Sequence, residues 1–458
     1  MAHRLFSLLG KSLRLAVPAL AAGVLLAACS SSPAGGPAPV VAERPSRPDG
    51  AKPSRPDGAA VPAPGGEERT RYDRRGFVAP LHMQGQEPVR VGLLLPFSAP
   101  TEAVQKVASA MFDSAQLAAF ETGNESFLLI PKDTKGNPAD AAAAARSALA
   151  DGAEIILGPL FAEEVVAVAE VTRAAGVPVI AFSSDVSSAG DGVYLLSFPP
   201  ELEIARVTEY AVLKGYSRFG LIAPATQYGE RVSTAFAEEI FVRGGVLVHE
   251  ERYEQNPDAM LAPAKRLAQY AEEVVPVKLR HDFDPTAPRN PSDDDGYVRG
   301  YQAVLIPEQG TLLRALAPLF PYYNVDINAV KLLGVSGWNN PRLTREPALK
   351  GGWFAAPDPE ITKAFDDRFA AAFGAAPPRL ASLSYDATLL AARISQVPRR
   401  RGRLDESAIT DPNGYFGADG LFRLTPGGSV ERGLAILEIQ PGGIRVIDPA
   451  PKSFAPAF

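Results

Sequence analysis

From Val89 onward the apolar positions of this chain follow two periods in turn. Val89–Leu95 (VRVGLLL) is a short apolar run ending at Pro96, the pattern of a strand buried on both faces. Residues 102–120 then place Val104, Val107, Ala108, Met111, Leu117 and Phe120 at helical spacing. The alternation continues with a strand at Phe127–Ile130, a helix at 139–150 opened by Asn137-Pro138, a strand at 155–157, a helix at 162–175 and a strand at 177–182. After Tyr194–Pro200 it restarts: helix 201–214, strand 218–223, helix 229–243, strand 245–248, helix 258–273, strand 301–306, helix 309–319 and strand 329–335. Helices near 360–373 and 382–396 follow, and short strands near 420–424, 433–439 and 444–447 predict a small antiparallel ribbon. Strands joined by helix-length crossovers predict parallel sheets covered on both faces.

Upstream of Val89 the pattern is different. Residues 30–87 are rich in Pro, Gly, Ala, Ser and Arg, and Pro-Ser-Arg-Pro-Asp-Gly occurs at 45–50 and again at 53–58. Such a segment buries too little apolar area to offset its ordering entropy, so a disordered, semi-extended tether is expected. At roughly 3.1 Å per residue a polyproline II chain of this length reaches on the order of 150 Å. Residues 276–299, acidic and Pro-rich, read as an irregular insertion.

The first 28 residues carry Arg4, Lys11 and Arg14 with no acid, then an apolar run broken by Pro18 and Gly23 and shorter than the roughly 20 residues of a spanning helix. This is a secretory signal, and it ends at the chain's single cysteine, Cys29. Leu26-Ala-Ala-Cys29 resembles the lipobox of bacterial lipoproteins, which implies acylation of Cys29 and a membrane anchor. Ser30 beside it implies, by the same resemblance, the periplasmic face of the outer membrane. Removing residues 1–28 moves the formal charge from −6 to −9. An acidic mature chain without clustered cations is not expected to bind nucleic acid.

The ordered landmarks Val91–Pro96, Ile155–Pro159, Gly176–Ser184, Phe219–Ile222 with Gln227-Tyr-Gly229, Ser384-Tyr-Asp-Ala387 and Phe416–Phe422 resemble the type I periplasmic binding proteins, the leucine-binding-protein fold. The resemblance implies two Rossmann-like lobes joined by crossovers and closing on a ligand. It places lobe 1 at 88–199 plus 341–408 and lobe 2 at 200–340 plus 409–450. Ligands of open α/β sheets sit beyond the carboxyl ends of the strands. The candidate lining is therefore Ser98, Leu160-Phe161, Ser183, Ser184, Tyr228, Glu308 and Trp338. In amino-acid-binding members, small polar residues hold the α-carboxylate, and an acid and an aromatic fix the ammonium. Leu160 and Phe161 stand where one polar pair is expected, and bulky apolar side chains cannot solvate a carboxylate.

Residues 301–357 (Tyr301–Glu308, Leu316–Phe320, Leu332-Leu-Gly334, Gly337-Trp-Asn339, Leu349–Pro357) are similar to the penicillin-binding-protein activators. That implies an envelope lipoprotein that switches on a peptidoglycan synthase. The alternative is a receptor delivering a small polar, amino-acid-like ligand to an ABC transporter. Histidines 82, 249 and 281 are scattered without metal-ligand spacing, Gly334-Val-Ser-Gly-Trp338 lacks the last glycine of a nucleophile elbow, and no phosphate loop occurs. Neither catalysis nor a metal or other cofactor is expected.

Overall fold

A computed structural model describes residues 77, 80, 83, 87–271, 300–398 and 404–454. Cys29, the signal, nearly all of the tether, the insertion at 276–299, His82 and His281 lie outside the described residues. Among the described residues no helix is long and apolar enough to cross a membrane.

The expected alternation is present. The first run is β1 (Val89–Leu95), α1 (Glu102–Glu121), β2 (Phe127–Asp133), α2 (Pro138–Ala150), β3 (Ile155–Leu157), α3 (Ala162–Ala175), β4 (Val179–Ala181) and β5 (Val193–Leu195). These strands form one parallel sheet in the order β2-β1-β3-β4-β5. Val91, Leu93, Leu94 and Leu95 are wholly buried, and each contributes about 1.5–3 kcal/mol of burial. Asn137 caps α2 by accepting from the Asp140 amide at 3.0 Å, with Pro138 at the first helical position.

The second run is α4 (Pro200–Leu213), β6 (Arg218–Pro224), α5 (Gln227–Val242), β7 (Val246–Tyr253), α6 (Pro257–Ala271), β8 (Ala303–Leu305), α7 (Gly310–Leu316), α8 (Leu319–Tyr322), β9 (Lys331–Gly334) and β10 (Trp353–Ala356). The chain then forms α9 (Pro359–Phe373), α10 (Ala381–Ser395), β11 (Tyr415–Gly417), β12 (Gly420–Leu424), β13 (Val430–Arg432), β14 (Ala435–Gln440) and β15 (Gly443–Asp448). The second sheet is seven-stranded, β15-β14-β10-β9-β8-β6-β7; β14 pairs antiparallel with both β10 and β15 and runs against the other strands.

Two boundaries differ from the sequence reading. β10 is apolar on both faces and pairs with β9 and β14, and Leu343, Ala348 and Leu349 pack in the second core. The second lobe therefore includes 341–356, and the chain crosses back at 357–358. The closing strands also divide. β11–β13 form a separate antiparallel ribbon whose Tyr415, Phe422, Leu424 and Val430 pack on the first core with α1 and α10, whereas β14 and β15 extend the large sheet. Short strands of equal apolarity do not announce which core they cover; the packing decides it. The architecture is the two-lobed α/β fold of periplasmic binding proteins.

Candidate functional site

In the first sheet the strand order reverses direction between β1 and β3, and in the second between β6 and β8. Crevices of open α/β sheets form at such switch points. The loops there carry Ser98, Leu160-Phe161, Tyr228 and Glu308, so the topology brings most of the expected lining to the facing strand ends.

Glu308 is the most constrained of them. It is only 5% exposed. Its Oε2 accepts from the Tyr253 hydroxyl at 2.8 Å and its Oε1 from the Gln309 amide at 3.0 Å. Tyr228 opens α5, where Thr226 caps the helix by accepting from the Gly229 amide at 3.2 Å. Gly229 lets the helix start against β6, since a Cβ there would lie 1.9 Å from the Pro224 carbonyl oxygen. Tyr228 remains 38% exposed, while burial of its hydroxyl end raises the phenol's pKa, with Glu203 and Glu308 adding to the rise and Arg231 opposing it. Burial also raises the Tyr253 phenol, and Glu308 adds to that.

Glu201 and Glu203 stand in the first turn of α4, directly after the Pro199-Pro200 crossover. Arg231 grips Glu201 with two bonds, 2.8 and 2.9 Å, and donates to the Ser184 carbonyl oxygen at 3.2 Å. The Glu203 carboxylate accepts from the Ser336 amide at 2.8 Å. Burial raises its pKa, while the Ser336 bonds and then Arg379 oppose that rise. The sequence reading missed Glu201, Glu203, Arg231 and Tyr253. Charges on helices read as solvated faces; the one available signal was the Glu-Leu-Glu that follows a crossover prolyl pair.

Two of the candidate serines make bonds within the protein. The exposed Ser98 hydroxyl donates to Asp133 Oδ2, while Asp133 Oδ1 accepts from the Ser98 and Lys135 amides. Burial pushes the Asp133 pKa up, but the Ser98 hydroxyl and these amides outweigh it and lower it. Ser183 is buried and accepts from the Asp185 amide at 3.1 Å, closing a turn. Trp338 does not line the crevice: it is fully buried, lies against Gly334 and Gly352, and donates through Nε1 to the Glu308 carbonyl oxygen at 3.1 Å. It supports the Glu308 loop from beneath. Phe161, 38% exposed, opens α3 and brings no hydroxyl to the first-lobe wall. Among the described residues no group of three or more His, Cys, Asp or Glu is placed to hold a metal ion.

The wall from the second lobe thus carries Glu201, Glu203 and Glu308 with Arg231, and the facing wall carries Leu160, Phe161 and the serines. This arrangement favours hydrogen-bond donors or a cation on the second-lobe side.

Residues 88–275 match the family model described as periplasmic binding protein. A curated relative, an uncharacterised protein of Rickettsia prowazekii, is 20% identical over 192 residues, and the chain spans about half of its length. Among solved structures, a branched-chain amino acid ABC transporter protein from Rhodospirillum rubrum aligns with 79% of this chain and all of its own, at 17% identity and TM-score 0.62. A solute-binding protein from Rhodopseudomonas palustris in complex with 3,4-dihydroxybenzoic acid covers 79% of this chain and 96% of its own, at 16% identity and TM-score 0.53. A substrate-binding protein from Desulfitobacterium hafniense in complex with Leu covers 79% and 100%, at 16% identity and TM-score 0.51. At these identities the likeness is one of fold: the chain has the two-lobed architecture of type I periplasmic binding proteins.

Proposed function

We propose that this protein is a periplasmic solute receptor whose crevice takes a small ligand bearing an ammonium or several hydrogen-bond donors, for delivery to an ABC transporter. The observation that carries the reading is the Glu308 carboxylate, fixed by Tyr253 and Gln309 at the second lobe's switch point beside Tyr228. A carboxylate held in a low-dielectric crevice binds a cation more strongly than one in water does. The family match and the transporter receptors among the structural relatives support it. Lipid attachment at Cys29 on the periplasmic side belongs to the same proposal, and catalysis plays no part in it. The test is calorimetry of refolded protein against amino acids, amines and aromatic acids. An amine-bearing ligand that binds wild type and loses affinity at least tenfold to Glu308→Gln supports the reading; equal affinity for both sinks it.

A second reading is an activator of a penicillin-binding peptidoglycan synthase. It is favoured by the first-lobe wall, where Leu160 and Phe161 stand in place of one polar pair and the Ser98 hydroxyl is spent on Asp133. Stimulation of a synthase from the same cell by the purified protein tests it, and absence of both binding and stimulation rejects it.

A further inference from the structure

The chain crosses between lobes at 196–199, 357–358 and 433–434. Five side chains meet beside the first and third of these crossings. Arg432, the last residue of β13, donates through Nε to the Ser197 carbonyl oxygen at 2.8 Å, so it ties the third crossing to the first. Its guanidinium lies 4.5 Å from the Phe198 ring centroid, and that of Arg379 lies 3.5 Å from the same centroid. Arg379 also donates to Asp419 Oδ1 at 2.8 Å. Asp386, from the Ser-Tyr-Asp-Ala stretch on α10, accepts at Oδ1 from the Ala418 amide at 2.6 Å. Asp386 is 1% exposed and Asp419 2%. Gly417 makes room for the carboxyl, because a Cβ there would lie 2.2 Å from it.

Asp386 Oδ2, Asp419 Oδ2 and both terminal nitrogens of Arg432 are buried with no hydrogen-bond partner among the described residues. Asp386 and Arg432 therefore sense one another without a fixed direct bond, while Asp419 keeps its bond to Arg379. In a buried cluster that balance is sensitive to a single proton. We propose that this cluster is a proton-sensitive hinge: the charge on Asp386 governs how firmly Arg432 is held between the ribbon and the first crossing, and so sets the balance between open and closed lobes.

Other charged groups bear on the cluster. Asp419 lies in the turn between β11 and β12, Arg432 ends β13, Arg379 precedes α10, and Asp366 on α9 is affected by Asp419 and Arg379. Glu203, in the crevice on α4, feels Arg379, which links hinge and crevice. Arg393 of α10 shares with Asp386 and Gly417 the lining of a cavity of about 280 Å³. Burial first, and the neighbouring Asp419 next, push the Asp386 pKa up to about 7, against the pull of Arg432, the Ala418 amide and Arg379. A proton taken up there lowers the negative charge that faces the two arginines, and Arg432 loses part of its counter-charge.

The experiment uses the full chain in ligand-free form, so it is independent of what the crevice binds. The sequence has one cysteine, so Cys29→Ser with Glu170→Cys and Glu238→Cys places one spin label on α3 and one on α5, in different lobes. The interlobe distance distribution is expected to shift toward open as pH falls from 8.5 to 5.5, with a midpoint within about one unit of 7. Asp386→Asn is expected to hold the low-pH distribution throughout. Arg379→Gln removes a cation that lowers the Asp386 pKa, so it is expected to raise the midpoint by at least half a unit. A flat wild-type profile, an unchanged pH dependence in Asp386→Asn, or an unmoved midpoint in Arg379→Gln overturns the proposal.

Discussion

Arg231 on α5 donates to the backbone carbonyl of Ser184, just past β4, at 3.2 Å, and so joins the second lobe to the first by a polar contact at the crevice mouth. Its other partner, Glu201, is on its own lobe and holds the guanidinium in a two-bond grip. Pairs this exposed contribute about 0–1 kcal/mol. Arg231→Ala is therefore expected to change unfolding stability by less than about 1 kcal/mol and to widen the lobe separation in small-angle scattering. An unchanged scattering profile would show that the contact does not restrain the lobes.

Tyr253→Phe deletes one of the donors that fix Glu308 while keeping the ring. A buried carboxylate deprived of a partner costs about 1–3 kcal/mol. Chemical denaturation is expected to show a loss in that range, and a loss below 0.5 kcal/mol (well under the cited range) would mean that the hydroxyl is dispensable.

Trp338 and Gly334 are complementary shapes. A Cβ at Gly334 would lie 2.1 Å from the Trp338 ring, so Gly334→Ala is expected to cost about 1–3 kcal/mol by overpacking. Trp338→Ala should cost about 3–5 kcal/mol by leaving a void. In both variants the loss is one of stability, read by thermal unfolding, because the indole sits beneath the crevice rather than in it.

Glu203 gives a pH dependence of known sign. Its folded pKa is raised by burial above the ordinary carboxylate range, so the folded state binds a proton more readily than the unfolded chain. Its contribution favours folding at and below the unfolded pKa of about 4.3 and turns unfavourable as pH climbs through the folded value. Glu203→Gln should remove that slope, and the wild-type-minus-variant melting difference should become more negative from pH 4 to pH 8. A difference that is constant with pH would contradict the assignment.

Cys29→Ser is expected to abolish incorporation of radiolabelled palmitate and to move the protein from the membrane to the soluble fraction. Retention of label in the variant would place the acyl chains elsewhere.

Much of the fold was legible because apolar spacing is local. The run at Val89–Leu95 and the helical stripe after it need no distant contact to be recognised, and their observed bounds differ from the expected ones by at most a residue. β10 and the closing strands were misplaced because a short strand such as Trp353–Ala356, apolar on both faces, suits either core. Among candidate residues, Glu308 and Tyr228 stand after strands at the second sheet's switch point, where the sequence places them. Trp338 follows a strand too, yet Gly334 and Gly352 open a slot that draws its ring inward.

The sequence alone determined the two runs of strand and helix and the strand ends at the two switch points. These follow from periodicity and composition, which act over a few residues. Only the tertiary structure decided which acids share the crevice and which arginines meet the buried aspartates. Glu203 and Ser336 are 133 residues apart in sequence, and Arg432 and Ser197 are 235 apart. Burial and pairing at such separations depend on how the two sheets and their crossings pack, and no local pattern encodes them.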